Sequence, residues 1–294
     1  MSFLNYLING LSLGSIYAII ALGYTMVYGI AKMLNFAHGD FIMVGSYIIF
    51  TIVSTLGLPP GVGLLVAIIL CTLLGITTEK VAYKPLRHAG SPLAVLITAI
   101  GVSYLLENVA LLIFGADTKA FSSMISWSGV SLAGGRLKIQ GFTLVSIIVG
   151  ILILIFLQLF INKTKSGQAM LAVAEDKGAA SLMGINVNKT ITLTFAIGSA
   201  LAAVAGALMC TAYPSLTPYT GAMPGIKAFV AAVLGGIGSI PGAMIGGLVL
   251  GVIEILGKTY ISSQLSDAIV FGILIIVLLV KPTGILGKKI QEKV

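Results

Sequence analysis

Three stretches of this chain, Phe41 to Thr78, Gln140 to Asn162 and Thr190 to Ile226, contain no Asp, Glu, Lys or Arg. About 20 apolar residues suffice for an α-helix to cross the hydrocarbon core of a bilayer. Inside lipid every backbone polar group must find a partner within the protein, which leaves helices and closed barrels as the spanning structures. A barrel strand would show roughly ten residues of in-out alternation. The run LVSIIVGILILIFLQLF at 144–160 is instead continuously apolar. The expected fold is therefore all-α, a polytopic helical transmembrane protein forming one domain over residues 1–294. Only 9% of residues are charged, against about a quarter in soluble domains, and no soluble segment is large enough to present a nucleic-acid surface.

Apolar periodicity places spans near 5–29, 41–56, 61–78, 92–114, 142–161, 190–212, 226–238, 241–256 and 267–280, eight or nine in all. The opening residues lack a basic region ahead of the apolar run, so they read as the first span and not as a cleaved signal. With residues 162–189 assigned to the cytoplasm, alternation puts twelve of the seventeen Lys and Arg inside, the bias that the positive-inside rule requires. Lys119, Arg136, Lys138, Lys227 and Lys258 fall outside, and the Lys-rich end, with Lys288, Lys289 and Lys293, falls inside. That balance requires LGGIGSIPGA at 234–243 to divide the region into two short spans, with Gly235, Gly236, Gly238 and Pro241 supplying the break. Cys71 and Cys210 lie within apolar runs and read as small buried hydrophobes.

Sliding the chain on itself by 197 positions aligns Gly39 with Gly236, Gly45 with Gly242 and Lys84-Pro85 with Lys281-Pro282. This suggests a duplication with halves near 1–90 and 190–290. In transporters built from such repeats the substrate route lies beside the broken helices.

Residues 162–189 are the polar exception. Leu171, Ala174, Gly178, Leu182 and Ile185 recur at helical spacing, the acidic pair Glu175-Asp176 suits a helix amino end, and Gly184 suits a helix stop. Two short helices or one bent helix follow, with a face of small residues that a protein partner can approach closely.

The stretch AEDKGAASLMGINV resembles the coupling loop of ABC-transporter permeases, with Glu175 and Asp176 ahead of Ala179-Ala180 and Gly184 behind. NGLSLGSIYAIIALGYTMVYGI, LNFAHGDFIMVGSY, AGALMCTAYPSLTPYTG and GGIGSIPGAMIGG are similar, in the same order, to permease subunits of branched-chain amino acid ABC importers. That resemblance implies a bacterial inner-membrane subunit working with a second related permease, two cytoplasmic ATPases and a periplasmic binding protein. The chain has no GxxxxGK[ST] loop, so ATP and Mg would be bound by the partners and no cofactor by this chain. The implied ATPase-coupling residues are Ala174, Glu175, Asp176, Gly178, Ala179, Ala180, Leu182, Gly184 and Ile185.

A zwitterion with an apolar tail needs a route with few dipoles amid apolar walls. Ser15, Tyr17, Tyr24 and Thr25 on the first span fit that description, though small polar residues also serve helix packing. Asn35 and His38 flank the first break, where local capping competes with a gating role; Gly236 and Gly238 mark the second break. Glu107 and Asn108 lie in a span, where an ionisable group is costly. Glu254 has Lys258 as an i,i+4 partner. Neither His38 nor His88 has companions at metal spacing or in an intramembrane protease motif, so neither a metal site nor an enzyme is expected. A urea or short-amide importer permease and an ATP-independent secondary transporter are the competing functions.

Overall fold

The computed structural model describes residues 2–88, 92–121, 124–125, 127–132 and 137–287. Arg136, Lys288, Lys289 and Lys293 lie outside these residues, as does the side chain of His88.

Eleven α-helices occur among the described residues: α1 (Ser2–Ala31), α2 (His38–Phe50), α3 (Pro60–Thr78), α4 (Pro92–Phe114), α5 (Gly141–Lys163), α6 (Lys165–Glu175), α7 (Lys177–Leu182), α8 (Val187–Ala212), α9 (Ala222–Gly235), α10 (Ile240–Tyr260) and α11 (Ser266–Val280). π-helical turns at Thr51–Thr55 and Glu79–Tyr83 extend α2 and α3. Seven helices are long and apolar enough to cross a membrane, and α9 and α11 are shorter apolar helices. These nine match the nine segments read from hydropathy, and the protein is a multi-pass membrane protein. Two short antiparallel pairs, Lys119–Ala120 with Ser215–Leu216 and Val130–Leu132 with Leu137–Ile139, are the strands among the described residues.

The chain divides into two compact units, residues 1–25, 127–154 and 227–294 in one and residues 26–126 and 155–226 in the other. In the first, Gly10 and Gly14 of α1 meet Gly247 and Gly251 of α10. A Cβ on Gly14 would lie 2.7 Å from the Leu248 Cα, and one on Gly251 would lie 2.3 Å from the Gly14 Cα. Two GxxxG patterns thus face each other, and in lipid such backbone approach supplies the dispersion that burial supplies in water. Ser12 and Ser146 share a buried hydrogen bond of 2.8 Å that joins α1 to α5.

In the second unit α2, α3 and α8 enclose a core that includes Met43, Tyr47, Cys71, Ala203 and Cys210. Both cysteines are free and buried, as their apolar settings suggest. A Cβ on Gly75 would overlap Ser199, and one on Gly45 would lie 3.0 Å from the Ala203 Cα, so glycine sets how closely α8 approaches the other two helices.

Candidate functional site

The polar segment forms α6 and α7, separated by Asp176 in an extended conformation (φ −155°, ψ 115°). Each helix begins on a side-chain cap: the Thr164 Oγ1 accepts from the Gly167 N–H at 3.0 Å, and the Asp176 Oδ1 accepts from the Ala179 N–H at 2.9 Å. Gly184 ends α7 at φ 80°. Its N–H reaches the Ser181 carbonyl and that of Ile185 reaches the Ala180 carbonyl, each at 3.0 Å, the paired bonds of a Schellman stop.

The chain is extended at Asp176, so Leu171 and Ala174 lie on α6 and Gly178 and Leu182 on α7; none of these four is buried, nor is Ile185. Gly167, Met170, Val173 and Ala180 are the buried positions of α6 and α7. Ala180 therefore packs inward, while Glu175, Asp176, Gly178, Ala179 and Gly184 are exposed. The prominent exposed feature is apolar: Leu182 and Met183 are 91% and 82% accessible.

The first break, residues 32–37, follows α1. Its left-handed residue is Lys32 (φ 57°), while Gly39 is needed for close approach: a Cβ there would lie 2.6 Å from the Gly221 carbonyl oxygen. The side chain of Asn35 is held at a distance in sequence, its Oδ1 accepting from the Tyr83 hydroxyl at 2.7 Å. His38 is 1% accessible and meets Phe41 edge to face. The last carbonyl of α1, on Ala31, accepts from the Lys177 Nζ at 3.0 Å. Burial first, and then the charges of Arg87 and Lys32, hold the Lys177 ammonium below the usual lysine range.

The second break places Gly236 and Gly238 at φ 106° and 94°. Here the exposed end of α9 is taken up by backbone. The N–H groups of Ile285 and Leu286 donate to the carbonyls of Leu234 and Gly235, each at 2.9 Å. Ser239 caps α10 by accepting from the Gly242 N–H.

The remaining candidates separate by partner. Ser15 is fully buried, donates to the Leu11 carbonyl and sits where a Cβ on Gly150 would touch it. Tyr17 donates to the Glu254 Oε2 at 2.9 Å, and Tyr24 packs edge to face on Phe229 at 5.8 Å. The Thr25 Oγ1 is buried with no hydrogen-bond partner among the described residues. In the second unit the Asp40 carboxylate is buried, with Ser103 and Glu107 as its electrostatic neighbours. Glu107 is 8% accessible, but Asn108 is exposed and its Nδ2 donates to the Tyr104 carbonyl of its own helix.

The family described as branched-chain amino acid transport system / permease component matches residues 6–278. The chain belongs to that family. The permease is 47% identical to the high-affinity branched-chain amino acid transport system permease protein LivH of Salmonella typhimurium, over 99% of this chain and 98% of that one. It is 46% identical to BraD of Pseudomonas aeruginosa over the same shares. A probable branched-chain amino acid permease of Methanocaldococcus jannaschii is 32% identical over 92% of this chain and 88% of its own length.

Two features of the permease were not legible in its residue pattern. The expected Glu254–Lys258 pair, at 2.5 Å, is part of a wider cluster in which Lys227 bonds Glu254 at 2.9 Å and Asp267 at 2.7 Å. Likewise Arg87 pairs with the fully buried Glu79, which also accepts from Thr192 at 2.6 Å. Glu254 and Lys227 are 27 residues apart, so no local spacing announces the contact. A signal did exist: a lone Lys or Glu beside a long apolar run demands a partner of opposite charge.

Proposed function

We propose that this permease is a membrane-spanning subunit of an ATP-driven importer in the bacterial inner membrane, moving branched-chain amino acids delivered by a periplasmic binding protein. It pairs with a second related permease, and two cytoplasmic ATPases bind ATP and Mg. The observation that carries the reading is the near-complete alignment, at almost half identity, with high-affinity branched-chain amino acid permeases. The exposed Leu182-Met183 tip of α7, on a helix capped at both ends, supports the docking role: its apolar projection suits a groove on an ATPase.

Within this reading Glu175, Asp176, Gly178, Ala179, Leu182 and Gly184 form the docking surface, with Ala174 and Ile185 beside it and Ala180 anchoring α7. Asn35, His38 and Glu107 are the substrate-route residues of the second unit, and Thr25 is one of the first. A buried hydroxyl without a partner among the described residues, as on Thr25, suits a route that must solvate a passing zwitterion, because a buried polar group is costly unless something bonds it.

The test is reconstitution of the four-component assembly. Leu, Ile and Val with the binding protein should stimulate ATP hydrolysis. Leu182→Asp should release the ATPases while the chain unfolds at its usual temperature, since a fully exposed side chain contributes within about 0.5 kcal/mol. Substrate accumulation by this chain without ATPases would overturn the assignment.

A further inference from the structure

The end of α1 is held by a group from the docking segment. Lys177 is the first residue of α7. Asp176 ties the start of that helix and Gly184 its end, so the six residues act as one body carrying the ammonium. The ammonium donates to the last carbonyl of α1, and the next residue, Lys32, holds a left-handed conformation without being glycine. An L-residue persists there where its surroundings over-determine it. Arg87, whose charge acts on Lys177, is itself bound to Glu79 and, at 2.5 Å, to the Asn188 Oδ1 at the start of α8.

We propose that Lys177 is a positioning residue linking the docking segment to the first helix break, so that displacement of α7 by an ATPase is passed to residues 32–37. The inference rests on the docking role assigned to α7 above. A basic side chain that merely caps a helix end would stabilise the fold and nothing more. A link must also change how much transport each hydrolysed ATP yields.

The experiment uses the complete assembly in proteoliposomes, with wild type, Lys177→Met and Lys177→Arg compared for amino acid moved per ATP hydrolysed. Lys32→Cys in each background reports the break by its rate of maleimide labelling, with and without vanadate-trapped nucleotide; Cys71 and Cys210 are buried and contribute little background. With Lys177→Met the transport-to-hydrolysis ratio should fall roughly tenfold, the size of an ordinary coupling free energy between two sites. Hydrolysis and melting temperature should stay at wild-type levels, and labelling should no longer respond to nucleotide; Arg should restore at least half of the ratio. An unchanged ratio with nucleotide-dependent labelling intact overturns the link. So does a Lys177→Met protein whose coupling loss tracks a lowered melting temperature, which marks a structural cap. If wild-type chain fails to retain the ATPases, it is the docking reading that has failed.

Discussion

The two helix breaks solve one problem in different ways. Each interrupts a helix in a multi-pass membrane protein, and each leaves carbonyls that would be expensive to expose to lipid. At residues 236–239 two left-handed glycines make the turn, and the backbone of residues 285–286 takes the open carbonyls of α9. At residues 32–37 the left-handed residue is a lysine, and remote side chains join the backbone bonds: Lys177 of α7 holds the Ala31 carbonyl and Tyr83 beyond α3 holds the Asn35 side chain. A junction closed by its own backbone is fixed by chain geometry. One closed by side chains from other elements follows those elements when they move.

The comparison can be broken most severely at Gly236. A Cβ there would lie 2.4 Å from the Gly287 backbone nitrogen at φ 106°, so Gly236→Ala combines strain with overlap and should cost about 2–4 kcal/mol. Detergent-solubilised protein followed by thermal unfolding measures the loss. An unchanged melting temperature would mean that backbone closure of the second break is not rigid.

Tyr83→Phe comes next. It leaves the buried Asn35 Oδ1 without its donor, which should cost roughly 1–3 kcal/mol. Chemical denaturation in the same detergent gives the figure, and an effect below that range would show that water replaces the hydroxyl.

The smallest effect carries the opposite sign. Lys32 occupies a position that suits glycine, so Lys32→Gly should stabilise the protein by ~0.5–1 kcal/mol. The same variant should blunt transport if the tension at that residue is useful. Gain of stability with full transport would leave the first break as inert as the second.

Much of the fold was legible because lipid imposes a one-dimensional rule. Each long apolar run must be a helix, and even the split at LGGIGSIPGA followed from counting charges and finding glycine and proline where the division was needed. The caps at Asp176 and Gly184 were legible too, since a carboxylate and a glycine do their work within four residues of their own position. Periodicity could not be carried across Asp176, because spacing assumes an unbroken helix and this residue is extended. Leu182, on the periodic face, is exposed, whereas Ala180, implied by the resemblance alone, is buried.

The amino-acid sequence by itself determined that this protein crosses the membrane repeatedly, where its helices stop and which family it resembles, because these depend on local hydrophobicity and chain-local hydrogen bonds. The tertiary structure alone decided that Lys227 meets Glu254 and Asp267, that Tyr83 holds Asn35 and that Lys177 caps α1. Those partners are 27 to 146 residues apart, and at such distances pairing is set by which helices pack together, a choice that no local spacing encodes.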